Sequence, residues 1–258
     1  MRFNNQVAVI TGSGRGIGRS AAIKMAEEGA SVVINDIDEE VAASVVSEIR
    51  EGGGKAVAVI GSVANPDNAN QLIETAVSEF GTVDTLINNA AATQTSMIHK
   101  MTDEQWDLVL EVGLKGSFNC IRAVAPIFME RAKANPEALS NGKIINVTSV
   151  AGLAGTIGQI NYASAKAGVI GLTMSAAREW GKYRIQSNAV AFGVVETRMT
   201  ETIRHEEKFA EKYKSKIVLN RFATTDDVIP GVLFLSSSGA NYITGHVLNI
   251  SGGYHIGY

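Results

Sequence analysis

The sequence predicts a doubly wound α/β fold: one domain in three layers, a parallel sheet with helices on both faces. Three observations lead there. Short β-branched, apolar runs alternate with longer stretches of helical periodicity along all 258 residues. Most of these runs hold consecutive apolar residues rather than a strict apolar–polar alternation, the pattern of strands buried on both faces. The first of them leads straight into a turn with four glycines in seven residues, Gly12 to Gly18.

In chain order the strand candidates are Val7–Ile10 and residues 31–35, 56–60, 85–87, 143–148, 186–191 and 246–250. Residues 19–28 and Glu39–Glu51 read as helices, the second ended by Gly52-Gly53-Gly54. Residues 67–80 follow Pro66, which suits a first helical turn. A long helical region, 102–131, opens on the capping pattern Thr102-Asp103-Glu104-Gln105. Residues 162–180 form the last long helix, and no linker or repeat divides residues 1–258.

Composition narrows the function. A net charge of −3, with no isolated Lys/Arg cluster, argues against a nucleic-acid partner. The one cysteine, Cys120, lies in an apolar run and reads as a buried small hydrophobe; no Cys/His cluster suggests a metal. The opening "MRFNNQVAVITG" is too short in apolar residues for a signal peptide or anchor, and no window approaches a membrane span. A soluble, cytoplasmic protein is expected.

Sheets of this kind bind ligands at the carboxyl ends of their strands. The turn Thr11-Gly12-Ser13-Gly14-Arg15-Gly16-Ile17-Gly18 stands there, spaced GxxxGxG. Its glycines let backbone approach a ligand, and the next helix would point free N–H groups at a pyrophosphate. Asp36, about 20 residues past the turn, suits a ribose hydroxyl pair. Its charge disfavours a 2′-phosphate while Arg15 would attract one; Asp36 is weighed more heavily, so NAD is expected, with NADP possible. Asp38 reads as the first acid of the next helix.

The stretch "NYASAK" places Tyr162 and Lys166 four apart, on one helix face. A free phenol has a pKa about 10, and lowering it to neutrality takes ~4 kcal/mol. An ammonium about 4 Å away supplies that order of interaction at an effective dielectric near ~20. Lys166 is therefore expected to acidify Tyr162.

The joint occurrence of "TGSGRGIG", "NNAA" at 88–91, Ser149 thirteen residues before Tyr162, "YASAK" and "YITGHVLNISGG" closely resembles the short-chain dehydrogenase/reductase family, over essentially the whole chain. The resemblance implies a Rossmann-type fold and NAD(P)-dependent oxidation of alcohols or reduction of ketones. It is nearest to 3-oxoacyl-thioester reductases and 3-hydroxyacyl dehydrogenases. Tyr162 would then be the acid/base, Ser149 would hold the substrate oxygen, and Lys166 would also bond the nicotinamide ribose. Contact with the cofactor is implied for Gly12, Ser13, Arg15, Gly16, Ile17 and Gly18, for Asp36 and Ile37, and for Ser62 and Val63. The same holds for Asn89, Ala90 and Ala91, for Tyr162 and Lys166, and for Phe192, Gly193, Val195 and Thr197. Asn88 matches a position that stabilises the central sheet. The resemblance also implies a homotetramer built on residues 102–131 and 162–180, with a hetero-oligomer as the other option.

Four positions depart from the family pattern. Gly113 stands where an asparagine completes a proton relay through its main-chain carbonyl, so glycine keeps the carbonyl but loosens the helix. Phe192 replaces a proline, and its ring could stack on the nicotinamide or crowd it. Ser62 replaces an aspartate at the adenine, passing that contact to the Val63 backbone. Ala91 replaces a glycine and sets a methyl beside the cofactor. These departures leave two other readings open: a catalytically impaired subunit with a structural role, and a dinucleotide sensor.

Residues of about 194–222 read as a lid over the substrate, mixing Arg198, Arg204, Lys208, Lys212, Lys214, Lys216 and Arg221 with five glutamates. A solvated amphipathic helix explains them; cations for a coenzyme A or carrier-protein thioester are the functional alternative. His205 is expected on the surface. Gln94, Thr95, Ser96 and residues 155–157 would flank a small-molecule substrate.

Overall fold

A computed structural model describes residues 1–257, with only the backbone of Ile203, His205 and Phe209; the expectation for His205 falls outside the described side chains. Seven parallel strands form one sheet in the order β3-β2-β1-β4-β5-β6-β7. They are β1 (Val7–Ile10), β2 (Ser31–Asp36), β3 (Lys55–Ile60), β4 (Thr85–Asn88), β5 (Gly142–Ser149), β6 (Ile185–Phe192) and β7 (Val247–Ile250). β1 pairs with β2 on one side and β4 on the other, so the connections reverse direction there and open a crevice above the strand ends.

The period-2 alternation of each strand divides the core into two. Ile10, Ile34, Ile145 and Val190 face α1 (Gly16–Glu27), α2 (Glu39–Glu51) and α10 (Thr225–Ser236). Val9, Val33, Leu86 and Ile144 face α3 (Pro66–Phe80) and α5 (Gly116–Ala134), with α7 (Ile160–Trp180) packed alongside. Each fully buried Ile or Leu contributes ~1.5–3 kcal/mol relative to exposure. Cys120 belongs to the second core, and burial pushes its thiol up to about 12, which makes it inert at neutral pH.

Local signals set the helix starts. The Asp38 carboxylate caps α2 by accepting from the Val41 N–H, so its placement as the first acid there holds. Asn65 caps α3 ahead of Pro66. Thr102 and Gln105 form the reciprocal capping box of α4 (Asp103–Leu110).

Several boundaries differ from expectation. The region 102–131 is not one helix: a π-helical turn, Glu111–Lys115, separates α4 from α5 and holds Gly113 near its middle. α1 starts at Gly16 rather than residue 19. β2 extends to Asp36 and β5 to Ser149, so both side chains stand on the last residue of a strand rather than on a loop. Periodicity cannot see this, because a polar residue ending a strand breaks the apolar run before the ladder ends. The remaining helices are α6 (Val150–Ala154), α8 (Glu201–His205) and α9 (Glu207–Lys214). No helix among the described residues is long and apolar enough to cross a membrane.

Candidate active site

The glycine turn closes over the carboxyl end of β1. Gly12 and Gly16 have φ of 60° and 54°, the left-handed region that L side chains disfavour. A Cβ at Gly18 would collide with the Gly12 carbonyl oxygen and stand 2.5 Å from Asn89 Nδ2. Helix α1 has no side-chain cap and no acidic residue in its first turn, leaving its N–H groups for an outside acceptor. A turn this tight, opening on uncapped amides at the switch point, fits the pyrophosphate of a dinucleotide.

Asp36 lies beside the turn. Its Oδ2 accepts from the Gly14 N–H at 3.1 Å and its Oδ1 from the Asp38 N–H at 3.2 Å, which orients the carboxylate and leaves further lone pairs. Arg15 turns away to Asp38, 2.7 Å from its Oδ2, and this hydrogen bond holds the Asp38 carboxyl below its usual range. Ile37 is exposed at the same edge. The Ser62 hydroxyl accepts from the Ala64 N–H, and Val63 is buried with its carbonyl taken by Asn119 Nδ2.

Beyond β4, Asn89 serves the turn itself. Its Nδ2 donates to the carbonyls of Thr11 and Gly12 at 3.0 and 2.9 Å. The buried Thr11 hydroxyl accepts from the N–H groups of Asn89 and Ala90. Asn88 does stabilise the sheet centre: its amide donates to Asn146, which donates to Thr173, whose hydroxyl donates to the Val169 carbonyl.

Ser149, Tyr162 and Lys166 meet between the end of β5 and the start of α7. The Ser149 Oγ caps α6 by accepting from the Ala151 N–H, and it also interacts with the Tyr162 hydroxyl. The same hydroxyl thus serves the start of α6 and touches the tyrosine. Tyr162 keeps part of its side chain exposed, yet its surroundings desolvate the hydroxyl and raise its pKa; only the Ser149 bond opposes this. The expectation that Lys166 acidifies Tyr162 is not met. The Lys166 ammonium donates to the Val147 carbonyl at 2.7 Å and lies 5.7 Å from the Tyr162 ring centroid. Burial lowers the Lys166 pKa to about 8. Sequence spacing gave the shared helix face, but a four-carbon side chain goes where an acceptor is, here the open carbonyl of the strand beneath.

The other expected positions divide. Gly113 is buried, and its carbonyl accepts from the Ser117 hydroxyl at 2.8 Å. Gly193 packs against Ser251, where a Cβ would stand 3.1 Å from the backbone. The Val195 carbonyl accepts from the Thr200 hydroxyl, and Thr197 caps the turn Arg198–Thr200. The Phe192 ring is a correction: it packs in the core with Val190 and Val228 and is 4% exposed, so it does not stand open to a ligand. Its position at the end of β6 has the same parity as Val190, which turns it inward. Ala91 is half-buried beside the crevice.

Three contributors escaped sequence reading. Asn161 is fully buried; its Nδ2 donates to the carbonyls of Gln94 and Gln105, and its Oδ1 accepts from the Tyr162 N–H at 2.8 Å. It ties the loop after β4 to the start of α7, immediately before the tyrosine. The Thr148 hydroxyl donates to the Lys166 carbonyl at 2.7 Å, fastening α7 to β5. Gly152 lets α6 pack on α7, since a Cβ would meet the Lys166 carbonyl carbon at 2.6 Å. Asn161 had a signal, an amide immediately before a candidate catalytic residue; the other two depend on long-range contacts.

A glycine turn at the switch point, a carboxylate beside it at the end of β2 and a Ser–Tyr pair beside a buried lysine suit a dinucleotide-binding α/β oxidoreductase. A family model described as enoyl-(acyl carrier protein) reductase matches residues 12–255. The 3-oxoacyl-[acyl-carrier-protein] reductase of Staphylococcus epidermidis is 40% identical over 253 residues, 98% of this chain and 100% of its own. That of Thermotoga maritima is also 40% identical over 253 residues, covering 98% and 99%. A candidate short-chain alcohol dehydrogenase from Sinorhizobium meliloti superposes with a TM-score of 0.90 at 32% identity, covering 98% of each chain. A candidate gluconate dehydrogenase from Agrobacterium tumefaciens gives 0.91 at 28% identity, covering 98% and 96%. The chain belongs to the short-chain dehydrogenase/reductase family and is an oxidoreductase that works with a nicotinamide cofactor.

Proposed function

We propose that the protein is an NAD(H)-dependent reductase of 3-oxoacyl thioesters, carried on coenzyme A or a carrier-protein arm. One observation carries this reading: the Tyr162 hydroxyl faces the Ser149 hydroxyl at the mouth of the crevice, and its pKa is raised. A phenol protonated at neutral pH is a proton donor, so the pair suits reduction, where a ketone oxygen gains a proton. Nicotinamide supplies the hydride. Ser149 would donate a hydrogen bond to the oxygen as charge builds on it, and Tyr162 would deliver the proton. Lys166, with a pKa about 8, is mostly cationic at neutral pH and would hold the ribose from its post on the Val147 carbonyl.

Support for an acyl substrate comes from the exposed apolar side chains Met97, Ile157 and Met199, on the loops after β4, α6 and β6. The full-length relatives that reduce 3-oxoacyl-[acyl-carrier-protein] substrates point the same way. Support for NAD comes from Asp36 beside the turn and from Arg15, already paired with Asp38. The segment 194–222 would serve as the lid. The reading of an impaired subunit is left without support, since Ser149, Tyr162 and Lys166 are all in place. The test is NADH consumption with a short 3-oxoacyl thioester. Tyr162→Phe is expected to lower kcat by about 10²- to 10⁴-fold while leaving NADH affinity within about twofold. Full turnover in that variant would sink the assignment, and a preference for NADPH would sink the cofactor choice.

A further inference from the structure

The loop expected to flank the substrate and the proposed proton donor share one buried amide. Helix α7 begins without a side-chain cap: its N-cap residue, Gln159, makes no such bond to the first turn. The first intrahelical bond runs from the Ala163 N–H to the Gln159 carbonyl at 2.9 Å. The Tyr162 N–H precedes it and needs an acceptor from elsewhere. Asn161 supplies one, its Oδ1 accepting at 2.8 Å. The other end of the same side chain is equally committed. Its Nδ2 donates to the Gln94 carbonyl at 3.0 Å and to the Gln105 carbonyl of α4 at 2.8 Å. A side-chain amide has two N–H protons and one oxygen, and here all three are used.

Two more bonds lace the same segments together. The Ser96 N–H donates to the Gly158 carbonyl at 2.9 Å, and Gln159 Nε2 donates to the Thr93 hydroxyl at 3.2 Å. Neither reaches Tyr162; the Asn161 amide does. Its side chain is 0% exposed, so its bonds form without competition from solvent. We infer that Asn161 is a positioning residue for Tyr162: it fixes the backbone from which the phenol projects and sets that backbone against residues 93–96 and α4. Asparagine suits the task because its short planar group joins two donors and an acceptor. The chemistry is sensitive to such placement, since a displacement of about 1 Å at a reacting group costs up to ~10²-fold in rate.

The inference rests on Tyr162 as the proton donor proposed above, and a double-mutant cycle separates the two. Ketone reduction is measured for the wild type, Asn161→Ala, Tyr162→Phe and the double variant, with rates counted per NADH-binding site so that unfolded protein does not register. Asn161→Ala alone is expected to lower kcat about 10- to 50-fold with NADH affinity within about twofold. In the Tyr162→Phe background the same change should alter the residual rate by less than about twofold, because the group it positions is gone. Hydrogen exchange on the ligand-free protein reads the tie itself. The Tyr162 amide should exchange about tenfold faster in Asn161→Ala, while residues 170–180 keep their wild-type rates. Asn161→Ser, which also removes the amide, serves the same cycle if the alanine variant does not fold. An equal loss in both backgrounds, an unchanged kcat in Asn161→Ala or unaltered exchange at Tyr162 overturns the positioning role alone. Undiminished turnover in Tyr162→Phe overturns the proton-donor reading and this inference with it.

Discussion

Lys143 shows how burial alone sets the chemistry of a charged group. It stands near the start of β5, 6% exposed, with its ammonium 3.5 Å from the Gln186 Oε1 and no carboxylate bonded to it among the described residues. Burial lowers its pKa to about 8. Below that pH the ammonium is charged in both folded and unfolded chains, and the folded state bears the full desolvation penalty. Between about 8 and the ordinary lysine value of about 10.5 the unfolded chain binds more protons, so stability rises with pH. Lys143→Met is therefore expected to stabilise the protein by about 1–3 kcal/mol at pH 7, an advantage that fades as pH climbs through that window. Thermal melts at pH 7 and pH 10 read it directly, and an equal gain at both would refute the electrostatic cause. Lys166 shares the depressed pKa, but its ammonium donates a hydrogen bond to the Val147 carbonyl, and in the proposed reaction its charge would hold the ribose. The same physics thus serves as a cost in one place and as equipment in the other.

At the scale of elements, the glycines separate by what surrounds them. Gly18 sits inside α1 with an ordinary φ, so its need is purely steric: the Gly12 carbonyl and Asn89 Nδ2 fill the space a methyl would take. Gly18→Ala must push the turn off β1. We expect about 1–3 kcal/mol of lost stability and at least about tenfold weaker NADH binding by calorimetry. Gly113 is the opposite case. A Cβ there would meet only Ala165 Cβ at an ordinary 3.6 Å, and its φ is not positive. Gly113→Ala keeps the carbonyl and gains up to about 1 kcal/mol from helix propensity, so a higher melting temperature with activity retained is expected. A large activity loss there would show that the π-turn needs the freedom of glycine. The capping box at Thr102, the Asn65-Pro66 start and the strand runs were all readable, since each depends on residues within one turn or one strand. The π-turn was not, because it inserts one residue into a helical ladder without changing the local pattern.

For the whole molecule, α4, the π-turn, α5 and α7 leave an open apolar recess of about 570 Å³, lined by Leu110, Leu114, Phe118 and Leu172 with Glu111 and Lys115 at its rim. Phe118 and Met174 are exposed on these helices. Such a face suits a second copy packing α5 and α7 against its own. We expect light scattering to give the mass of a tetramer, and Phe118→Glu to shift it toward dimers or monomers. A wild-type monomer at micromolar concentration would end that expectation. The C-terminal end also reaches the 194–222 side of the site: Tyr254 stacks on Tyr213 of α9 with ring centroids 6.4 Å apart, and Leu219 donates its N–H to the Gly252 carbonyl.

Read alone, the chain determined the strands, most helices, the glycine turn, Asp36 and the trio Ser149, Tyr162 and Lys166. The elements and the turn are announced by short-range pattern, periodicity or a cap, while the trio was picked out by its resemblance to the family's motifs. Tertiary structure decided where the charges and hydroxyls of those residues go. It sent Lys166 to the Val147 carbonyl, Arg15 to Asp38, Asn89 to the turn and the Phe192 ring into the core. Long side chains choose partners among groups distant in sequence, and desolvation depends on everything packed around them. Spacing can place two side chains on one face, but only the folded surroundings set which atom each one meets and at what pKa.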